Sequence, residues 1–346
     1  MEIAGRAVGP GQPCFVIAEA GVNHNGDPDM ARELIRVAAE AGADAVKFQT
    51  FTADKLVTRQ ASKADYQRAS AADSETQFEM LRRLELPRTC YEGLMSQCRE
   101  SAVLFLSTPF DEESADFLDG LGMAAFKISS GELTNLPFLE YVARKSKPMI
   151  VSTGMSDLDE VQQAVAAIKI AGNSQVALLQ CVSNYPAEPS TANLRAMKTL
   201  AETFHVPVGY SDHVSGNDVA LAAVALGACV LEKHFTLNRK LPGPDHQASA
   251  EPGELRALIE GIRRVESALG DGRKIPAASE GSTAAIARKS LIAASAIPCG
   301  TVLTTAHVAA KRPGTGLPPA ARPTIVGLRA KQDIPAGATL SREMFE

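Results

Sequence analysis

The feature that most constrains the fold is an alternation of short apolar runs and helical patterns along most of the chain. Between about residues 14 and 270, eight apolar runs are each followed by a segment with helical periodicity. The runs are apolar throughout, which is typical of parallel strands buried on both faces. Strands that alternate with helices predict an α/β fold. Eight such units in this length favour a closed (β/α)8 TIM barrel.

A doubly wound open sheet is the alternative architecture, but no G-x-G-x-x-G motif follows the first predicted strand. One connection departs from the regular pattern. The polar stretch from Thr52 to Thr76 is longer than an ordinary α/β connection, and it predicts a functional loop.

The end of the chain has a different organisation. We assign residues 1–270 to the barrel, residues 271–285 to a linker rich in Gly, Ala, Ser and Pro, and residues 286–346 to a small β domain. Two I-P-x-G-x-x-L units, which begin at Ile297 and Ile334, indicate an internal repeat. A domain of about 60 residues is marginal alone, so we expect it to dock on a barrel.

Composition excludes several classes of protein. The chain has 346 residues, of which 45% are hydrophobic, and this is enough for a large core. Its formal charge of -5 argues against a nucleic-acid partner. No apolar run is long enough to span a bilayer, and the first residues lack the apolar core of a secretory signal. Six scattered cysteines without a C-x-x-C pair are typical of reduced thiols. We therefore expect a cytoplasmic protein without a membrane partner.

Polar residues stand at or just past the end of every predicted strand. In chain order they are Glu19, Lys47 with Gln49, Thr108, Lys127 with Ser130, Ser152 with Thr153, Ser183 with Asn184, Asp212 with His213, and His234. Each alone is compatible with an ordinary polar strand end. A barrel brings all of these ends to one mouth, where active sites lie.

The residue types at this mouth predict an anionic substrate beside a metal. Lys47 and Lys127 are flanked by apolar residues, so anions are needed to offset their burial. Neighbouring hydroxyls add donors that suit phosphate or carboxylate. His213 and His234 follow neighbouring strands, and two such imidazoles can bind one divalent metal. Glu19 is a further ligand or a base.

These residues belong to motifs that resemble those of the sialic acid synthases. In the predicted barrel the motifs are IAEAGVNHNG, AVKFQT, STPF, FKISSGE, STGM, GYSDH, EKHFT and GPDH, and KRPGTG follows near the end. They span nearly the whole chain in the family's order. The resemblance implies a (β/α)8 barrel followed by an antifreeze-like (SAF) domain of the β-clip type. Ser129 departs from the family, which often has glycine there.

The resemblance also implies roles for single residues. His213 and His234 correspond to ligands of Mn2+, with Mg2+ or Co2+ as substitutes, and Glu19 corresponds to the metal-site and substrate glutamate; the resemblance implies that all three are catalytic. Phosphoenolpyruvate ligands correspond to Lys47, Thr108, Lys127, Ser130 and Ser152, together with Ser183 or Asn184, between which the SNYP segment does not decide. Sugar-side positions correspond to Gln49, Phe110, Tyr185 and Asp245, and to Arg312, which the resemblance places at the partner's site in a domain-swapped homodimer. His24 and His246 are each either substrate contacts or loop braces.

The reaction that the resemblance implies joins phosphoenolpyruvate to an N-acetylated hexosamine. Carbon C3 of phosphoenolpyruvate attacks the sugar aldehyde, water adds at C2, and phosphate leaves by C–O cleavage. N-acetylmannosamine and the diacetamido-trideoxyhexoses that lead to legionaminic or pseudaminic acid remain as acceptors. Two other functions remain open: a metal-dependent aldolase that uses pyruvate, and a non-catalytic sugar- or ice-binding protein.

Overall fold

The computed structural model describes residues 1–63 and 75–346. Part of the predicted long loop, residues 64–74, therefore lies outside the described residues. The chain divides into two compact units, Met1–Gly270 and Asp271–Glu346. Among the helices of the described ranges, none combines the length and the apolar character needed to cross a membrane.

Eight parallel strands form the centre of the first unit, as the alternating pattern predicted. A short hairpin, β1 (Glu2–Ile3) and β2 (Arg6–Ala7), precedes them. The barrel strands are β3 (Phe15–Gly21), β4 (Ala45–Thr50), β5 (Leu104–Pro109), β6 (Phe126–Ile128), β7 (Met149–Ser152), β8 (Val176–Cys181), β9 (Val208–Asp212) and β10 (Val230–His234). Their order is β5-β4-β3-β10-β9-β8-β7-β6, and β5 contacts β6, which closes the sheet into a barrel. The predicted (β/α)8 barrel is confirmed.

Each barrel strand is followed by at least one helix. In chain order the helices are α1 (Pro28–Ala41), α2 (Ala53–Leu56), α3 (Gln77–Leu84), α4 (Tyr91–Glu100), α5 (Glu112–Gly120), α6 (Leu136–Ala143), α7 (Leu158–Ile170), α8 (Ala196–Phe204), α9 (Asp218–Ala225) and α10 (Pro252–Leu269). Several begin at caps that the sequence predicts. The side chain of Asp27 accepts from the amide of Asp29, and Asp157 and Glu160 form a capping box at the start of α7.

The barrel interior is apolar in its lower part. Each barrel strand, or the residue just before it, contributes one apolar residue or glycine to this part: Ile17, Ala45, Leu106, Ala125, Ile150, Leu179, Gly209 and Val230. The seven with side chains form one buried cluster, and Ile3 and Val8 of the amino-terminal hairpin region pack against it. Gly209 is required here, because a Cβ atom would lie 2.1 Å from the carbonyl oxygen of Val230. This filled interior supports the polar residues above it.

The second unit has a small core of its own. It contains α11 (Gly281–Ala287), β11 (Ser290–Ala293), β12 (Val308–Lys311) and α12 (Arg322–Ile325). The two repeat units pair with each other, because Ile297 and Ile334 exchange backbone hydrogen bonds of 2.8 and 2.9 Å. Both isoleucines are buried in one apolar cluster. The segment predicted as a linker includes the first turns of α11, since its alanines favour a helix.

Leu106→Ala should lower the free energy of unfolding by about 2–5 kcal/mol, because it opens a cavity in the buried interior cluster. The matched control is Leu226→Ala, since Leu226 is 62% exposed and its truncation should cost at most about 0.5 kcal/mol. Urea unfolding followed by circular dichroism measures both. Equal losses in the two variants would contradict the proposed role of the interior cluster.

Candidate active site

The cavity at the carboxyl ends of the strands receives at least one side chain from each of the eight strands. One from each strand, from β3 to β10, forms a ring: Glu19, Lys47, Thr108, Lys127, Ser152, Cys181, Ser211 and Glu232; Gln49 of β4 and His234 of β10 line the cavity as well. The cavity has a volume of about 400 Å³. Successive side chains of a strand point to opposite faces, so each of these residues lies directly above an apolar interior residue. Most of the polar strand-end residues that were predicted to share one mouth of the barrel therefore do lie around the same cavity.

Lys47 is held by two neighbours in the floor of this cavity. Its Nζ lies 2.8 Å from Oε1 of Glu19 and donates to Oγ1 of Thr108 at 2.9 Å. Gln49 Nε2 lies 3.4 Å from the same Glu19 oxygen. Glu19 Oε2 is buried and has no hydrogen-bond partner in the part of the chain that the structure describes, so this carboxylate oxygen is available to a substrate or to water.

Lys127 forms the second cationic point of the floor. Its Nζ donates to Oγ of Ser152 at 2.6 Å and to the carbonyl oxygen of Ile128 at 3.0 Å. Lys127 is only 3% exposed, so its charge is directed into the cavity. Two ammonium groups with adjacent hydroxyl donors form a site that suits phosphate and carboxylate oxygens.

Glu232 lies between the two lysines, and the sequence analysis assigned it no role although it is the first residue of the EKHFT motif. Its Oε1 lies 3.6 Å from Lys127 Nζ and accepts from Ser211 Oγ at 2.9 Å, whereas its Oε2 lies 3.8 Å from Lys47 Nζ. The available signal was its position two residues before His234, which places both side chains on the same face of β10. The floor of the cavity thus contains two lysines and two glutamates.

Burial and pairing act in opposite directions on these charges. Burial raises the pKa of Glu19 above its usual range although Lys47 opposes the shift. For Glu232 burial also raises the pKa, but Lys127 and Lys47 outweigh it and the net shift is downward. Burial lowers the pKa of Lys127, and Glu232 opposes that change. Glu232 is therefore the permanent anion of the group, and Glu19 is the carboxylate that accepts a proton more readily.

Small hydroxyl residues surround Gly154 on one wall of the cavity. The amide of Gly154 donates to Ser130 Oγ at 3.0 Å. A Cβ atom on Gly154 would lie 2.4 Å from Ser183 Oγ and 2.8 Å from Ser130 Oγ. Ser183 lines the cavity whereas Asn184 is exposed and does not, so the structure brings the serine of the ambiguous SNYP segment to the site.

The two predicted histidines lie side by side at the same mouth. Their ring centroids are 5.3 Å apart, and the ring of Tyr185 lies 4.1 Å from His213 and 5.4 Å from His234. The Nδ1 of His213 donates to the carbonyl oxygen of Val182 at 2.7 Å, so Nε2 carries the lone pair whenever the ring is neutral. Burial holds the pKa of His234 well below its usual value, and the neighbouring His213 lowers it further, so His234 is neutral.

These residues fit a divalent metal bound at an open site. Among the described residues, Nδ1 of His234 is buried without a hydrogen-bond partner. A Cβ atom on Gly21 would lie 3.4 Å from Cε1 of His234, 3.4 Å from Oε1 of Glu19 and 3.5 Å from Oδ2 of Asp245, so these three side chains border the space beside Gly21. Within residues 1–63 and 75–346 no three His, Cys, Asp or Glu side chains are arranged to hold an ion. Two imidazoles would therefore need oxygens from substrate or water to complete the coordination.

The predicted sugar-side residues are divided between three environments. Gln49, Phe110 and Tyr185 line the cavity. Asp245 is buried behind His234, with Oδ2 3.9 Å from His234 Nδ1, and burial raises its pKa to about 6. Arg312 is exposed in the C-terminal unit.

Four polar residues near the mouth have structural partners instead. Thr153 donates to the carbonyl oxygen of Leu179 and Asp212 pairs with Lys233, because alternate residues of a strand face away from the cavity. His246 contacts Thr236 at 2.6 Å, and His24 packs beside the ring of Phe48. Neither His24 nor His246 lines the cavity, so both brace loops.

Known proteins resemble this chain over almost its whole length. The NeuB family model matches residues 34–274 and the SAF domain model matches residues 288–346. N,N'-diacetyllegionaminic acid synthase from Legionella pneumophila is 47% identical over 342 residues, which are 98% of this chain and 96% of that protein. The synthase of the same name from Campylobacter jejuni is 46% identical, with 88% and 91% covered. The crystal structure of spore coat polysaccharide biosynthesis protein SpsE from Bacillus subtilis has a TM-score of 0.70 and 38% identity, and covers 100% of this chain and 99% of that one.

The barrel and its charged mouth define an enzyme-type site, in which two buried lysines lie beside two imidazoles. The chain belongs to the NeuB family and carries a C-terminal SAF domain. The resemblance to the sialic acid synthases is thereby confirmed, and so is the prediction of a synthase. The hypothesis of a non-catalytic sugar-binding protein is wrong, because the relatives at 47% and 46% identity are named synthases and are covered over nearly their full length.

Gly154→Ala should weaken binding of the anionic substrate by about tenfold or more, because the added methyl group displaces the Ser183 and Ser130 hydroxyls. Gly131→Ala is the matched control, since Gly131 lines the same cavity and its Cβ would meet only Ser129 Oγ at an ordinary 3.5 Å. The measurement is the Michaelis constant for the anion in each variant. An unchanged constant in Gly154→Ala would exclude these hydroxyls from the anion site.

Proposed function

We propose that this protein condenses phosphoenolpyruvate with a diacetamido-trideoxyhexose to give N,N'-diacetyllegionaminic acid and phosphate. The observation that carries the proposal is the pair of buried lysines, bridged by Glu232, beside the His213–His234 pair. The names of the two relatives at 47% and 46% identity support this product over N-acetylneuraminate and pseudaminate.

Phosphoenolpyruvate binds in the floor of the cavity in this proposal. Its carboxylate and phosphate oxygens accept from Lys47 and Lys127, and from hydroxyl groups supplied by Thr108, Ser130, Ser152 and Ser183. The two lysines lie on opposite sides of Glu232, so they are spaced to contact two separate anionic groups. The hydroxyls fix the orientation of the enol carbon toward the histidines.

The acceptor sugar binds above this floor. Apolar side chains from segments that follow the strands line that part of the cavity, namely Leu56, Val57, Leu81, Phe110 and Met155. Such a wall suits the methyl and methylene groups of a deoxygenated sugar better than additional hydroxyls, which would lose hydrogen bonds to water. Gln49 and Tyr185 supply polar contacts for the acetamido groups, and Asp245 lies nearby.

His213 and His234 hold a divalent metal, which we propose to be Mn2+, with Mg2+ or Co2+ as substitutes. When bound, the metal acts as a Lewis acid toward the aldehyde of the open-chain sugar. The donation from His213 to Val182 fixes the ring that presents Nε2. The raised pKa of Glu19, due to burial, and its free Oε2 suit it to accept the proton of the water that adds at C2.

The purified protein should release phosphate from phosphoenolpyruvate only when the acceptor sugar is present. With 18O in the bridging position, the label should leave with phosphate, because the C–O bond breaks. The ratio kcat/KM should be at least about tenfold higher for the diacetamido-trideoxyhexose than for N-acetylmannosamine. The reason is that about two polar groups of N-acetylmannosamine would be buried against the apolar wall without hydrogen-bond partners. Chelation should abolish turnover and Mn2+ should restore it.

Two results would contradict this assignment. Turnover of pyruvate in place of phosphoenolpyruvate would indicate an aldolase, and label retained in the sugar acid would exclude C–O cleavage.

Lys127→Met should raise the Michaelis constant for phosphoenolpyruvate and leave that for the sugar unchanged. Lys147→Met is the control, since Lys147 pairs with Asp119 outside the cavity.

We further propose a domain-swapped homodimer in the cytoplasm, where phosphoenolpyruvate is a common metabolite. The exposed Arg312 of one chain serves the sugar site of the other chain, and its planar donors suit an amide carbonyl or hydroxyls. The independent core of the C-terminal unit supports this arrangement, because such a unit retains its fold when it serves another chain.

Arg312→Ala and His234→Ala should each be inactive, and mixing them should restore activity after subunit exchange. In a trans arrangement, one site of each heterodimer combines an intact barrel with an intact arginine. Random exchange restores about a quarter of the sites, as follows from the statistics of a symmetric dimer. No recovery after exchange verified by native mass spectrometry would contradict the trans role of Arg312.

A further inference from the structure

A buried ion pair lies directly behind the two histidines, on the opposite face of the same strands. Lys233 Nζ lies 2.6 Å from Asp212 Oδ2, and both side chains are almost completely buried. Lys233 precedes His234 and Asp212 precedes His213. Because successive side chains of a strand face opposite ways, the histidines face the cavity while the ion pair faces outward.

The hydrogen bonds of this pair are complete. Besides Asp212, Lys233 donates to the carbonyl oxygens of Val214 and, at 2.9 Å, of Gly216. Asp212 Oδ1 accepts from the amide of Val214 at 3.0 Å. Lys233 on β10 is therefore hydrogen-bonded both to the end of β9 and to the turn that follows it. That segment includes His213.

The ring of His213 has a hydrogen-bonded anchor that the ring of His234 lacks. The ring of His213 is anchored by its donation to Val182, and its backbone carbonyl accepts from the amide of Ala187 at 2.9 Å. Among the described residues, Nδ1 of His234 has no hydrogen-bond partner, and the His234 carbonyl accepts from the amide of Ala250 at 2.8 Å. The place of His234 is thus set by the backbone of β10, which pairs with β9 at Lys233 and Asp212 and with β3 at His234 and Glu19.

We propose that Lys233 is a positioning residue that fixes the separation of His213 and His234, and thereby the affinity of the site for a divalent metal. The inference rests on the proposed function, in which these two imidazoles hold the metal. A site with only two protein ligands has little tolerance for displacement of either one. Partners that orient metal ligands contribute about 10- to 100-fold in metal affinity in characterised sites.

The alternative is that the ion pair only stabilises the fold. Both roles predict a lower melting temperature when the pair is broken, so stability alone does not separate them. Metal affinity of the folded protein does separate them, because a stabilising contact elsewhere in the barrel leaves it unchanged. Arg263 provides that comparison, since it pairs with Asp44 at 3.0 Å near the amino-terminal ends of the strands.

The test measures the dissociation constant of Mn2+ for the full chain by electron paramagnetic resonance, below the melting temperature of each variant. Lys233→Met should weaken Mn2+ binding by about tenfold or more, and Asp212→Asn should do the same with a milder effect on folding. Arg263→Met should lower the melting temperature yet keep the wild-type Mn2+ affinity. At saturating Mn2+ the Michaelis constant for phosphoenolpyruvate should be unchanged in Lys233→Met.

The outcomes separate this inference from the proposed function. If the wild type or His213→Ala shows that Mn2+ does not bind through the histidines, the proposed metal site falls and this role of Lys233 falls with it. If the wild type binds through them and folded Lys233→Met keeps its affinity, only the positioning role is overturned. Should Lys233→Met fail to fold, unchanged affinity in Asp212→Asn overturns the role equally.

Discussion

The structure depends on the arrangement of two lysines and two glutamates in the mouth of the barrel. An isolated ion in a protein interior costs several kcal/mol, and the cost is offset only when partners and hydrogen bonds are in place. Glu232 lies between Lys47 and Lys127, and Glu19 contacts Lys47 directly. Each charge is therefore stable only while the strands that carry the others hold their places, which couples the site to the closed barrel.

This arrangement also determines how an anion enters. Both lysines have carboxylate partners, so a bound anion competes with Glu19 and Glu232 for the same ammonium groups. Burial raises the pKa of Glu19, whereas the two lysines outweigh burial at Glu232 and lower its pKa. Two carboxylates of the same residue type in one cavity are thus shifted in opposite directions by their surroundings.

Period-two alternation explains which parts of this site the sequence could reveal. The barrel was predictable because buried strands and helices alternate eight times, and Lys47 and Lys127 were conspicuous among apolar neighbours. Glu232 received no role although it begins the EKHFT motif, because the prediction considered only the end of that strand, at His234. Asp212 was assigned to the ring by position alone, yet the pleat turns it outward to Lys233. The choice between Ser183 and Asn184 required the course of the loop after β8, which no periodicity fixes.

The same alternation divides two tasks between the faces of β9 and β10. Ser211, His213, Glu232 and His234 face the cavity, while Asp212 and Lys233 between them face outward. A shift of one residue in the pairing of these strands would exchange the two sets and place an ion pair in the cavity. The outward pair makes all of its hydrogen bonds only in the correct register. There, both carboxylate oxygens of Asp212 accept hydrogen bonds, and the ammonium group of Lys233 donates to three acceptors. The contact that specifies the register is therefore adjacent in sequence to the residues whose chemistry requires it.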